Sequence, residues 1–255
     1  MLQSFRVLRR DKQLVIFPIL SAIAAIAVSV PFVLALFAGG EPHEWNWNSV
    51  ALCLLWYFCA NVAIIFFNCA LAASAQTYFD GGTPTLGEGI GKAASRTPAI
   101  LAWAMVTSTV GVFLRWLDDR SGLLGRIVVG LIGMAWNIGT YLIVPVLVIE
   151  DVGVMDAIRR SGELLRKTWG QQLIGGIAFG WFGLLCAIPG VVIGVIGMNG
   201  FWPLIPVAVA YFIVMAASFS AAGQIFRVAL YRYATTGQAP DGYTNDGLHG
   251  SIRTR

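Results

Sequence analysis

Val154–Ile174 reads VMDAIRRSGELLRKTWGQQLI and stands between two long apolar runs. On a helical wheel Val154, Ile158, Leu165 and Trp169 share one face, while Asp156, Arg159, Arg160, Glu163 and Lys167 share the other. A helix that is apolar on one side and basic on the other suits a membrane surface. A shorter copy, Leu86–Arg96 (LGEGIGKAASR), places Leu86, Glu88, Ile90 and Lys92 where Val154, Asp156, Ile158 and Arg160 stand. A looser third copy lies near the start, at Phe5–Lys12 (FRVLRRDK). Each copy precedes two apolar segments long enough to cross a bilayer. The sequence therefore predicts an all-α, polytopic membrane protein of six transmembrane helices, arranged as three hairpins, each preceded by a cytoplasmic amphipathic helix.

Composition agrees. Of 255 residues 57% are hydrophobic and 12% charged, and the mean hydropathy is +0.74, whereas a soluble domain carries about 25% charge. The expected spans are 14–38, 49–79, 98–117, 127–149, 173–197 and 204–233, within a membrane domain covering 1–236. The polar tail 237–255 reads as disordered. The first apolar run has 25 residues, longer than the roughly 7–15 of a cleavable signal, so it reads as a retained anchor that Pro31 should kink. The second has 31 residues without a charge, about 46 Å of helix against a hydrocarbon core of about 30 Å, and should tilt or project past the surface. Pro189-Gly190 should break the fifth span. Thr85 and Glu88 have capping-box spacing before the shorter amphipathic copy. Trp45, Trp47, Trp116, Trp169, Trp202, Tyr231 and Tyr233 fall at expected interfaces and read as anchors.

Charge placement sets the orientation. The termini, the 80–97 loop and the 150–172 loop together carry 14 of the 17 Lys and Arg residues, and the opposite side carries 3. The positive-inside rule then puts both termini and all three amphipathic segments in the cytoplasm. The net charge of +4 is a topology signal and gives no reason to expect nucleic acid. Membrane lipids are the expected partner. Arg159, Arg160, Arg166 and Lys167 could hold anionic headgroups, at about 1 kcal/mol per residue, or could serve only to fix topology.

Catalytic constellations are missing from the sequence, so no enzymatic activity, metal or cofactor is expected. The two histidines, His43 and His249, lie in an outer loop and in the tail. GEGIGKA (Gly87–Ala93) is one residue short of a phosphate loop, has Ala where Mg²⁺ binding wants Ser or Thr, and follows a span rather than a strand. It reads instead as a glycine-loosened helix. Cys53, Cys59, Cys69 and Cys186 sit in apolar runs and should be free thiols. The spans hold amides and hydroxyls but no charge near their middles. Asn61, Asn68, Gln76, Asn137 and Gln224 could line a polar path for a small solute. They could equally join helices, each such bond being worth about 0.6 kcal/mol on average. Gly176-xxx-Gly180 and Gly190-xxx-Gly194 permit close helix contact, within the chain or in a homo-oligomer.

SFRVLRRDKQLVIFP (Ser4–Pro18), DAIRRSGELLRKTWG (Asp156–Gly170) and IFRVALYRYATTG (Ile225–Gly237) frame nearly the whole chain. On these stretches it resembles a family of bacterial six-span membrane proteins of unknown function. At greater distance it is similar to the membrane domain joined to some glycerophosphodiester phosphodiesterases. Nothing here matches the acidic, metal-binding catalytic domain of those enzymes, so no activity carries over. The resemblance implies a fold and a bacterial inner-membrane location. The function expected is a small-solute transporter or oligomeric pore, or alternatively a lipid-binding or membrane-organising scaffold or partner subunit.

Overall fold

A run of Leu, Ile, Val, Ala and Phe in lipid leaves each backbone amide no partner but its own helix, and this chain folds accordingly. A computed structural model describes residues 2–11, 13–37, 47–199 and 201–238, with side chains except at 2–3, 9–10, 36–37 and 167–179. Every regular element among the described residues is a helix: α1 (Leu2–Arg10), α2 (Gln13–Phe37), α3 (Trp47–Phe79), α4 (Leu86–Ser95), α5 (Thr97–Arg120), α6 (Leu123–Gly139), α7 (Ile143–Ile149), α8 (Val154–Met198) and α9 (Leu204–Thr236). Six segments are long and apolar enough to cross a membrane. His43 and Trp45, the side chains of Arg9, Arg10, Lys12, Lys167 and Trp169, the surroundings of Gly176, and the tail beyond 238 with His249 lie outside the described residues.

The helices pack chiefly as consecutive pairs, α2 along α3 and α8 along α9, with α5 more loosely on α6. Trp56 on α3 donates its indole N–H to Ser29 on α2 (2.8 Å), and Ser29 donates in turn to the Ala25 carbonyl (2.7 Å). The core gathers at one end of the bundle. There the last third of α3, buried from Cys69 to Ala75, is wrapped by α4, α7 and α9. The surplus length of the second span is thus spent inside protein. The other halves of α2, α3, α6, α8 and α9 carry Ile, Leu, Val and Trp side chains that no protein covers.

Three expectations change. The fourth span is not one helix: α6 ends at Gly139, and Thr140–Leu142 form a turn before α7. Pro145 supplies the reason, because a proline ring clashes with the carbonyl four residues earlier, here that of Tyr141. Pro145 then sits in the first turn of α7, where no N–H is needed. All of α7 from Ile143 to Val148 is buried, so it plugs the core instead of facing lipid.

The fifth span, conversely, is unbroken: α8 runs 45 residues through Pro189 and joins the amphipathic stretch to the span. Tyr211 on α9 donates its hydroxyl to the Cys186 carbonyl (2.6 Å), next along the helix to the Leu185 carbonyl whose usual partner Pro189 lacks. Beside it, a Cβ on Gly190 would lie 2.6 Å from the Tyr211 ring, so this glycine serves packing within the chain.

Third, the amphipathic faces turn inward. Along the described amphipathic part of α8, residues 154–166, Ala157, Ser161, Leu164 and Leu165 are buried, a stripe offset from the wheel face drawn from the large residues alone. Val7 and Leu8 of α1 and Ala93 of α4 join the same core. Small residues set this arrangement by letting backbones approach. A Cβ on Gly89 would lie 2.9 Å from the Ala70 carbonyl oxygen and 2.3 Å from the Ser74 hydroxyl, so Gly89 seats α4 on α3. Thr85 caps α4 by accepting from the Glu88 N–H (3.2 Å).

Candidate functional site

The breaks and helix ends of this core expose backbone groups that need partners, and polar side chains from distant segments supply them. At the turn after α6, Ser161 of α8 accepts from the Leu142 N–H (3.2 Å) and donates to the Gly139 carbonyl (2.8 Å). At the end of α7, Arg96 donates through Nε and Nη2 to the Leu147 carbonyl (3.1 and 3.0 Å). The same guanidinium pairs with Asp151, whose φ of +56° bends the chain toward α8. Asp tolerates that left-handed conformation better than most residues.

Two further ties close this end. Arg160 donates through Nε to both Glu150 oxygens (3.1 and 3.2 Å), Tyr231 of α9 donates to one of them (3.0 Å), and Glu163 lies 3.5 Å from Arg160. The hydrogen bond that Arg160 donates to Glu150, and then the Glu150 charge, raise the pKa of Arg160. Arg232 of α9 meets Asp80, beyond α3, at 2.5 Å, and Gln76 donates its amide to the same carboxylate (3.2 and 3.1 Å).

Two cavities are walled by described residues. A polar cleft of about 490 Å³ opens among α3, α4 and α7, with Gln76, Asp80, Glu88 and Lys92 in its wall. An apolar groove of about 460 Å³ runs between α3 and α5, walled by Tyr57, Phe58, Met105, Val112 and Trp116, with Ser108 partway along.

The expected polar path is not drawn together by hydrogen bonds, since no bond joins any two of its members. Asn61 donates to Thr107 (2.8 Å) and Ser108 (3.0 Å), tying α3 to α5. Gln76 reaches the polar cleft. Asn68 is half-buried, Asn137 is exposed, and Gln224 is buried. Of the expected lipid-contact residues, Arg159 and Arg166 are exposed, whereas Arg160 is engaged by Glu150. All four cysteines are free thiols.

Sequence reading missed Arg96, Ser161 and Arg227. Arg96 passed as one more topology charge, and Ser161 as a neutral position on an amphipathic wheel. Arg227 counted as a terminal charge, yet it lies within α9, with its guanidinium carbon 4.8 Å from the centre of the Tyr141 ring. Pro145 was the one signal that could have revealed the break these residues surround.

No curated protein and no solved structure matches the chain. Residues 48–241, most of the chain and all of the paired ends just described except α1 and α2, match a family of unknown function, DUF6159, and the chain belongs to that family.

Proposed function

We propose that this integral membrane protein is a non-enzymatic lipid-binding protein, with an acyl chain lying in the groove between α3 and α5. The groove is the observation that carries the reading: its wall is almost wholly apolar and it is open at the side. The ties made by Asn61, Thr107 and Ser108 favour the same reading, because they spend on helix joining the groups a solute path would need. The location is a bacterial inner membrane, with the charged end and both termini in the cytoplasm. The 14-to-3 distribution of Lys and Arg supports that orientation, and the family resemblance supports the bacterial setting. Native mass spectrometry of the protein released from lipid nanodiscs tests the proposal. A monomer that retains phospholipid, and loses it when Val112→Trp fills the groove, is the expected result. Equal lipid retention by both proteins would sink it.

The polar cleft favours a second reading, entry of a small solute at the charged end. Its wall offers both signs of charge and the Gln76 amide. Under that reading a closed homo-oligomer or a single chain gives flux in proteoliposomes, and Gln76→Leu abolishes it.

A further inference from the structure

Arg227 is a half-buried cation that the ties at the charged end leave without a carboxylate. Arg96, Arg160 and Arg232 each meet Asp or Glu. Arg227 has no ion pair among the described residues, and its Nε is buried with no acceptor. It lies against the face of Tyr141, which orients a guanidinium but does not neutralise it. One turn earlier, on the same side of α9 by its i,i+3 spacing, Gln224 is 4% exposed and its Oε1 has no donor. A buried donor and a buried acceptor left open together destabilise the fold unless something fills them. Tyr141 lies in the turn between α6 and α7, so Arg227 faces the break in the fourth span. Arg227 stands 23 residues after Leu204, about 34 Å along the helix axis, where a bilayer core of about 30 Å gives way to headgroups.

We infer that Arg227, Gln224 and Tyr141 form a binding site for a phosphate anion at headgroup depth. The phosphate oxygen accepts from Arg227 Nε, and a hydroxyl beside the phosphate donates to Gln224 Oε1. Tyr141 holds the guanidinium flat against its ring. The fit is to a phosphate-bearing headgroup or to a free phosphate, and charge, not chain length, governs it. This site shares no residue with the groove between α3 and α5 and does not depend on it.

The full-length protein in detergent micelles is offered equal amounts of phosphatidylglycerol and of diacylglycerol with the same acyl chains, and native mass spectrometry reads the ratio of adducts. Inorganic phosphate alone is titrated in parallel by calorimetry. Wild type is expected to prefer phosphatidylglycerol, and Arg227→Gln to lower that preference about tenfold or more, with Arg227→Lys recovering part of it. Preference for the lipid without phosphate binding identifies a headgroup, and phosphate binding identifies a free anion. Wild type showing neither overturns the proposal without any variant. A preference that survives Arg227→Gln but disappears with Arg159→Gln and Arg166→Gln overturns it as well. Should Arg227→Gln not fold, Gln224→Met must lower the preference, and an unchanged ratio there overturns it. A groove that holds acyl chains indiscriminately adds both lipids equally, so an excess of phosphatidylglycerol adducts over diacylglycerol adducts reports on Arg227 whether or not the groove binds.

Discussion

The charged end and the opposite half of the bundle are built from the same apolar side chains and treat them differently. Leu147 in α7 is 1% exposed, whereas Leu184 in α8 is 61% exposed. Lipid tails are as apolar as leucine, so helices within the hydrocarbon gain little by covering one another and pack loosely. Where α3 and α9 outrun the bilayer, water returns and the hydrophobic effect returns with it. The long helices, α7 and the inward faces of the amphipathic segments therefore assemble a protein core at that end only. The difference teaches that long spans here are half membrane anchor and half soluble-style core.

Substitutions can break or sharpen this contrast, all read as shifts in the unfolding transition followed by circular dichroism in one micelle system. Leu147→Ala, inside the core, should cost about 2–5 kcal/mol. Ser161→Ala leaves the Leu142 N–H and the Gly139 carbonyl without partners and should cost about 1–3 kcal/mol. Gly89→Ala drives a methyl against the Ala70 carbonyl, a backbone atom that cannot swing away, for a loss of about 1–3 kcal/mol. Gly87→Ala, two residues away with open space around it, should instead stabilise by up to about 1 kcal/mol through helix propensity. Leu184→Ala on the open half should change stability by no more than about 0.5 kcal/mol. A loss there as large as that at Leu147 would break the contrast, and would mean that a second copy covers this face.

Much of the fold could be read before any coordinates, because each span declares itself locally by length and lack of charge. Thr85 announced the start of α4 by its spacing to Glu88. The misreadings share one cause. Pro189 and Pro145 carry the same steric demand, yet only the second breaks its helix. At the first a distant Tyr211 bonds the Cys186 carbonyl, beside the one that Pro189 leaves without an N–H partner. At the second, Ser161 and Arg96 wait to satisfy a turn and a helix end. The candidate site was harder still. Asn61, Asn68, Gln76, Asn137 and Gln224 could be found by their chemistry, but their neighbours could not, and Arg227 looked like a tail charge until Tyr141 was placed across from it.

The sequence by itself determined that the chain is all-helical with six segments long and apolar enough to cross a membrane, since hydropathy and helical period are properties of a local stretch of chain. Only the tertiary structure decided that the amphipathic faces pack on protein, that the fourth span breaks and the fifth does not, and that Arg227 lies half-buried without a carboxylate among the described residues. An apolar face is equally content against lipid or against another helix, and a polar group reveals its role only when its partner arrives from elsewhere in the chain.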